Sequence, residues 1–220
     1  MAIWEDRSFA PLSGARIASV LNPITAFAAL SLLFGTLIIL VTPPLRGPDE
    51  TAHFLRAYGI ALGDIVPSTV DAQSRKGFFL APRLYEGFDF FESVRVKEKA
   101  KHWFGYGPVF QTYFSHQSAP IDSDQPAVFV PYGGSEGYSP LAYLPQVAAA
   151  LAARTLDLDF VATLYLMRFV GLAAMTAMIA YAIAISPHLA WTFVTIAMLP
   201  AALYGRSVVN ADGSALAAAM

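Results

Sequence analysis

The sequence predicts an all-α integral membrane protein: a polytopic helix bundle with a large folded extracytoplasmic loop between its first two spans. The 220-residue chain is 56% hydrophobic and 14% charged, whereas soluble domains carry about 25% charged residues. Residues 17–45, 137–153 and 169–205 contain no Asp, Glu, Lys or Arg, and about 20 apolar residues cross a bilayer. These patterns exclude a soluble monomer. The net charge of −2 argues against a nucleic-acid binder.

The first predicted span covers residues 24–42 and follows a cytoplasmic N-terminal tail at 1–23. Its apolar run is longer than a signal-peptide core of about 7–15 residues, and the prolines at 43 and 44 end the helix. Residues 139–220 form a second membrane block that holds spans two to four and the start of a fifth. Because an apolar run is beginning where the sequence stops, we expect the chain to be the N-terminal part of a longer protein.

Prolines and short polar turns divide the second block into spans. Ser139 fits the cap of the second span, which runs to residue 153. Pro145 lies inside that run and predicts a kink, because proline removes a backbone hydrogen bond. The third span covers residues 160–186, and a short fourth span covers residues 189–204.

Basic residues in short loops indicate how the spans are oriented. Arg7 and Arg16 precede the first span, and Arg154 lies in the turn between the second and third spans. Since short cytoplasmic loops carry an excess of Lys and Arg, we expect the N-terminus and the Arg154 turn to be cytoplasmic. Residues 43–138 then form an extracytoplasmic loop.

The composition of this loop predicts that it folds, because disordered segments are poor in aromatic residues. A small core or contact with the bilayer surface explains the aromatic residues, and stacking against a substrate is the alternative. The basic run at 95–101 suits phosphate contacts, a solvated edge or lipid headgroups. The aromatic pairs of the loop are Phe78-Phe79, Phe90-Phe91, Trp103-Phe104 and Tyr113-Phe114.

A helix at 49–62 is predicted directly after the first span. Pro48 suits its beginning, with Asp49 and Glu50 in the first turn. One face is apolar and another is polar, which is typical of a helix that lies on the membrane surface with its apolar face down. The apolar face consists of Phe54, Leu55, Tyr58 and Leu62, and the polar face consists of Asp49, His53 and Arg56.

Asp49 is the candidate general base of this helix, with Glu50 and His53 as metal ligands or hydrogen-bond partners. Adjacent carboxylates repel each other, which raises a pKa or attracts a divalent cation. A divalent metal ion at Asp49 and Glu50 is therefore the cofactor that the pattern suggests. The alternative is that the helix dipole alone favours these acidic residues and that the polar face is merely solvated. Cysteine is absent, which excludes thiolate catalysis and cysteine-ligated metals.

Arginine residues near or within the spans are candidates for binding an anionic substrate. Arg46 and Arg56 flank the acidic pair and suit phosphate contacts. Arg168 lies within the third span. A charge at membrane depth faces the bundle interior or extends to an interface, and it is a functional candidate by default.

Three motifs together resemble a bacterial family of predicted membrane proteins, catalogued as domain of unknown function 2142. They are Gly47-Pro-Asp-Glu-x-x-His53, Tyr138-Ser-Pro-Leu-x-Tyr-Leu-Pro145 and Ser207-x-x-Asn-Ala-Asp-Gly213, with the long loop between the first two. The resemblance extends from about residue 33 to the end of the chain. The family in turn resembles the glycosyltransferase C superfamily, which includes protein mannosyltransferases and aminoarabinose transferases.

The resemblance implies a membrane-embedded glycosyltransferase that takes a sugar from a polyprenyl-phosphate carrier for cell-envelope glycan assembly. It places the protein in the bacterial cytoplasmic (inner) membrane, in contact with the lipid bilayer. Asp49, beside Glu50, matches the superfamily's acidic group that acts as a base or binds metal. The candidate substrate-binding residues are then His53, Arg56, Tyr138, Tyr143, Arg168 and Asp212.

The placement of Asp212 and the reaction itself are open at this stage. Asp212 resembles an acidic residue of a later superfamily motif, but four complete crossings put it on the cytoplasmic side. A shallow hairpin of spans three and four puts it elsewhere. A non-catalytic membrane scaffold and a lipid or polysaccharide transporter component are the alternative functions. Intramembrane arginine and broken helices suit a transporter as well.

Overall fold

The computed structural model describes residues 22–101 and 126–220, and the side chains of all of these except 97–101. Most of the predicted N-terminal tail and the aromatic pairs at 103–104 and 113–114 therefore lie outside the described residues, and of the lysines of the basic run only the backbone is described. The described chain is mostly helical and includes one short two-stranded sheet that the sequence did not predict.

The helices of the described chain are α1 (Pro23–Val41), α2 (Glu50–Ala61), α3 (Pro82–Lys101), α4 (Leu144–Thr155), α5 (Phe160–Ile185), α6 (Ala190–Ala197), α7 (Pro200–Ser207) and α8 (Asp212–Ala219). The strands are β1 (Gly77–Leu80) and β2 (Val128–Pro131), which pair antiparallel with Gly77 opposite Pro131 and Leu80 opposite Val128. Short 3₁₀ turns lie at Ser135–Gly137, Pro140–Tyr143 and Pro187–Leu189.

Two of the described helices, α1 and α5, are long and apolar enough to cross a membrane. The segments Pro187–Ala197 and Pro200–Ser207 form a third candidate if they are counted as one span, but they meet at a bend of 76°. The predicted fourth span is therefore broken before Pro200. A proline cannot donate the backbone hydrogen bond that would continue α6.

The predicted second span is much shorter in the structure than in the sequence analysis. Its helix α4 has 12 residues, or about 18 Å of length, against about 30 Å of bilayer hydrocarbon. Ser139 accepts a hydrogen bond from the Leu141 N–H, but it caps a 3₁₀ turn rather than the helix. The irregularity expected from Pro145 takes the form of the 3₁₀ turn Pro140–Tyr143 that precedes α4. Pro145 itself lies in the first turn of α4, where a proline breaks no helical bond.

Helices α1 and α5 run antiparallel in close contact. The Ser31 and Thr176 hydroxyl oxygens lie 3.0 Å apart, in a buried hydrogen bond between the two helices. One turn further along α1, a Cβ on Gly35 would lie 2.6 Å from the Leu172 side chain. The absence of a side chain at Gly35 therefore lets these two helices approach each other. The N-terminal end of α5 extends beyond α1, and the Phe160 ring contacts the rings of Phe54, Phe88 and Phe91.

The turn between α4 and α5 lies with the insertion at 43–138, not with the start of α1. Arg154 donates a 2.9 Å hydrogen bond to the Ala61 carbonyl, and Arg83 of α3 forms an ion pair with Asp157. The other end of α5 contacts the start of α1, through the cluster that contains Phe27 and Ile183. The Arg154 turn and the start of α1 therefore lie at opposite ends of α5, whereas the sequence predicted that the turn and the N-terminus share a side.

The predicted helix at 49–62 corresponds to α2, but α2 does not lie on a surface. Nine of its 12 residues are buried, including His53 and Arg56 of the predicted polar face. The Phe78 ring of β1 stacks on Tyr132 at 5.3 Å and contacts Tyr58 of α2. Some aromatic residues of the insertion, such as Phe78, therefore belong to a small buried core, whereas Phe79 is 57% exposed.

A substitution at Gly59 tests whether α2 is packed against Tyr132. Alanine is favoured over glycine in a helix by about 1 kcal/mol, yet a Cβ at Gly59 would lie 2.1 Å from the Tyr132 hydroxyl, which is hydrogen-bonded to Asp64. We expect Gly59→Ala to lower the free energy of unfolding by about 1–3 kcal/mol, the usual cost of overpacking. Denaturant unfolding in detergent measures it. Gly205→Ala in α7, where the Cβ meets the nearest atom at 3.6 Å, is the control that should be tolerated. A more stable Gly59→Ala protein would contradict the packing of α2 against Tyr132.

Candidate active site

Glu50 and Arg168 form a fully buried ion pair at the junction of the spans and the insertion. Glu50 is the first residue of α2, and Arg168 lies in the third turn of α5. The Arg168 Nε donates to Glu50 Oε1 at 2.7 Å, and its Nη2 donates to Oε2 at 2.6 Å. Both side chains are 0% exposed. The pair is bidentate, which is the strongest geometry of an arginine with a carboxylate.

Two backbone amides complete the environment of the Glu50 carboxylate. The Gly47 N–H donates to Oε2 and the Val209 N–H donates to Oε1, each at 3.1 Å. Each carboxylate oxygen therefore accepts two hydrogen bonds. While this arrangement holds, Glu50 offers no oxygen to a proton or to a cation.

Arg168 also holds the C-terminal end of α1. It donates to the carbonyls of Thr42 at 2.7 Å, Pro43 at 3.0 Å and Ile39 at 3.4 Å. The last carbonyls of a helix have no partner within the helix and carry its partial negative charge, so a cation stabilises them. Of the two placements expected for Arg168, the structure shows the one in the bundle interior.

Asp49, unlike Glu50, lies outside the helix and has an exposed side chain. The helix begins at Glu50, so Asp49 lies before the first turn rather than in it. Its φ of 50° is left-handed, which Asp tolerates better than most residues, and its side chain forms no capping hydrogen bond. The side chain is exposed. Its carboxylate is therefore available for chemistry and is not needed to begin α2.

His53 lies one turn into α2 and forms a buried pair with Tyr143. Its Nδ1 and the Tyr143 hydroxyl oxygen are 2.6 Å apart. The Tyr138 ring meets the imidazole edge-on, with 5.1 Å between the ring centroids. His53 is 5% exposed and Tyr143 is 0% exposed, while Tyr138 is 44% exposed. The two tyrosines of the predicted motif thus converge on His53, with Tyr138 on the accessible side.

Asp212 belongs to the same cluster. Burial is the largest effect on His53 and lowers its pKa, while the negative charges of Asp212, Asp49 and Glu50 partly oppose this shift. Burial likewise raises the pKa of the Tyr143 hydroxyl, and Asp212 adds to the rise. Asp212 therefore lies at the same end of the bundle as α2, whereas four complete crossings would have put it at the opposite end. The bend before Pro200 is the reason, since α7 returns the chain towards Glu50.

Arg56 is buried and contacts the backbone, so it does not lie on a solvated helix face. It is 1% exposed and donates to the carbonyls of Asp64 and Ile65, at 2.9 and 2.8 Å. Its guanidinium carbon lies 5.3 Å from the centroid of the Tyr132 ring. These contacts hold the turn that follows α2. They engage both terminal nitrogens of a guanidinium group that the sequence suggested for phosphate contacts.

The carboxylates at 49 and 50 do not fit a divalent metal ion. Glu50 faces a guanidinium and two amides, all of them donors that repel a cation, and Asp49 alone offers too few oxygens. Among residues 22–101 and 126–220, no group of three or more His, Asp or Glu side chains is arranged to hold a metal.

A cavity of about 400 Å³ adjoins Asp49 on the face of α2 that lies away from His53. Thr51, Glu92 and Arg95 line it together with Asp49. Thr51 and Glu92 are lining residues that no sequence motif predicted. The only local signal is the i,i+3 spacing of Glu92 and Arg95 on α3, which is common on ordinary helix surfaces.

The model of a family described as predicted membrane protein (DUF2142) matches residues 32–220. The chain belongs to this family. No curated protein and no solved structure matches it. The DUF2142 region contains every candidate site residue, from Asp49 to Asp212, and both helices that are long enough to cross a bilayer contribute to it.

The ion pair of this DUF2142 protein predicts an asymmetric response to mutation. Arg168→Met leaves a buried, unpaired Glu50, and such a loss costs about 3–5 kcal/mol. Adding Glu50→Gln removes that charge and keeps an acceptor for one of the two amides, so the double variant should be more stable than Arg168→Met. Arg83→Met breaks the exposed pair with Asp157 and should cost about 0–1 kcal/mol. Equilibrium unfolding in one detergent compares the three, and equal losses would contradict the buried pair.

His53 predicts a loss of stability in acid. Its ordinary pKa is 6.5 and burial lowers it in the folded protein, so below pH 6.5 the unfolded chain takes up a proton first. Stability is therefore complete above that pH and falls as the pH drops towards the lower folded pKa, by up to about 1.4 kcal/mol per pH unit. Melting temperatures between pH 7.5 and 5 should depend less on pH in His53→Gln. His188→Gln, at an exposed histidine, should retain the wild-type slope; identical slopes for all three would show that His53 is not the titrating group.

Proposed function

We propose that this protein is a membrane-embedded glycosyltransferase that uses a polyprenyl-phosphate-linked sugar in bacterial cell-envelope glycan assembly. One observation carries the proposal. Asp49 is an exposed carboxylate with no capping role, and its charge acts on His53, the histidine that contacts Tyr143 and that also feels the charge of Asp212. A general base needs an available carboxylate held in one place, next to the region where a lipid-linked donor enters.

The chemistry requires a base and a group that receives the leaving phosphate. An acceptor hydroxyl oxygen forms a bond to the anomeric carbon as the bond from that carbon to the phosphate oxygen breaks, through an oxocarbenium-like state. Asp49 accepts the hydroxyl proton, and the phosphate departs with the electron pair. Arg46 supports the second part, because its Nη2 is buried without a hydrogen-bond partner in the described structure. An arginine in that state suits a phosphate oxygen.

A non-catalytic scaffold is the second candidate, and a specific observation favours it. Glu50, Arg56 and Arg168 are buried and engaged in contacts that join elements of the fold. Three of the eight predicted site residues can therefore be explained by stability alone. The two functions differ in what they require of Asp49, since a scaffold has no need of a carboxylate that makes no capping bond.

Asp49→Asn tests the proposal, because it preserves the shape of the side chain and removes the proton acceptor. We expect sugar transfer by the purified full-length protein in nanodiscs to fall about 10²–10⁴-fold, the usual effect of losing a general base. The melting temperature should not change, since the side chain is exposed and forms no capping bond. Mass spectrometry of the product, from a polyprenyl-phosphate sugar donor, measures transfer.

Asp89→Asn is the matched control, because Asp89 is an exposed carboxylate of α3 outside the cluster. It should transfer sugar at the wild-type rate. Wild-type turnover by Asp49→Asn would end the catalytic assignment, and a fall in its melting temperature would assign Asp49 to the fold instead.

A further inference from the structure

The lining of the cavity beside Asp49 combines two kinds of residue. Its apolar members include an aromatic ring and are Leu45, Leu55, Phe88 and Val130. Its polar members include Asp49, Thr51, Glu92 and Arg95. Ligand sites typically combine an apolar lining with a few fixed polar groups, in volumes of about 300–1,000 Å³. The 400 Å³ here has room for one small molecule.

A hydrogen-bonded network between α2 and α3 fixes three of the polar lining residues, namely Thr51, Glu92 and Arg95. The Thr51 hydroxyl donates to Glu92 Oε2 at 2.9 Å, and the Arg95 Nε donates to the same oxygen at 2.8 Å. A second bond joins Arg95 Nη2 to Glu92 Oε1. Desolvation raises the pKa of Glu92, but the bonds from Arg95 and Thr51 outweigh it and hold that pKa below its ordinary value. Glu92 is thus ionised, and Arg95 neutralises it.

Asp49 contributes the remaining charge of the cavity. Glu50 also lines it, but Arg168 neutralises that carboxylate. The charged side chains of the lining therefore leave one net negative charge, on an exposed oxygen acceptor. A phosphate or a uronate would be repelled by this charge. A hydroxyl group, in contrast, would donate to it.

A sugar ring has the matching pair of surfaces, namely an apolar face of C–H groups and a rim of hydroxyl groups. We propose that this cavity binds a neutral saccharide, with a hydroxyl group donating to Asp49 and the apolar face of the ring against Phe88 and Leu55. The inference rests on the proposed function in one respect, since it identifies this saccharide as the acceptor of the transferred sugar. The hydroxyl held by Asp49 is then the one that loses its proton.

Binding without any donor tests the cavity separately from catalysis. The full-length protein in nanodiscs is titrated with the methyl glycosides of glucose, galactose, mannose and N-acetylglucosamine, with saturation-transfer NMR as the readout. Glucose 6-phosphate provides an anionic ring of similar size. We expect at least one neutral glycoside to bind more tightly than this anionic sugar, which the charge of Asp49 repels. Asp49→Asn should raise the Kd of that neutral glycoside about tenfold, as expected when a hydrogen bond to a charged acceptor is weakened.

Glu92→Gln tests the network, because it weakens the hold on Arg95 and should also raise the Kd. Glu86→Gln makes the same change elsewhere on α3, outside the cavity lining, and should bind like wild type. Failure of every neutral glycoside to bind, tighter binding of glucose 6-phosphate, or equal Kd values in all three variants would each overturn the saccharide site. If the neutral glycoside binds in an Asp49-dependent way but no transfer from a polyprenyl-phosphate donor occurs, the cavity proposal stands and the transferase proposal fails.

Discussion

The buried contact between Glu50 and Arg168 organises the region in which all the candidate functional residues lie. Arg168 connects α5 to the end of α1 through the carbonyls of Thr42 and Pro43, and to the start of α2 through Glu50. The Val209 amide brings the segment after α7 to the same carboxylate. An unpaired charge at this depth would cost several kcal/mol. The pair therefore specifies how these four parts of the chain meet, whatever its net contribution to stability.

Because of this contact, the two adjacent acidic residues have opposite environments: Glu50 is buried and paired, and Asp49 is exposed. Glu50 is fixed within α2 and directed at Arg168, so its oxygens are occupied. Asp49, one residue earlier, has a left-handed backbone that turns it away from the helix, and its side chain stays exposed. The fold thus presents one carboxylate to the outside by burying the other. In the proposed function, the aspartate of the motif Gly47-Pro-Asp-Glu is therefore the base, and the glutamate contributes a buried contact that holds the fold.

The insertion and the membrane helices form a shared core rather than two separate layers. The first turns of α5 project beyond α1, where Phe160 contacts aromatic rings of both α2 and α3. Helix α4 lies beside α2 and α5, and Arg154 at its end bonds to Ala61. This arrangement explains how side chains from α2, the Tyr138–Tyr143 segment and the start of α8 reach one cluster. It also explains why a polar helix such as α2 is buried, since the surrounding aromatic side chains and carbonyl groups satisfy it.

The sequence by itself determined the features that depend on local composition. Long charge-free runs predicted a membrane protein and located α1 and α5, and the residues around Asp49 predicted a helix whose ends differ from those of α2 by one residue. Tertiary structure alone decided that Arg168 pairs with Glu50 across 118 residues, that α2 is buried, and that the Arg154 turn and Asp212 lie at the insertion end. Hydrophobicity shows that a residue avoids water, but not whether lipid or protein surrounds it. The side of the membrane follows from which helices are long enough to cross and where they bend, and this depends on contacts between residues distant in the chain.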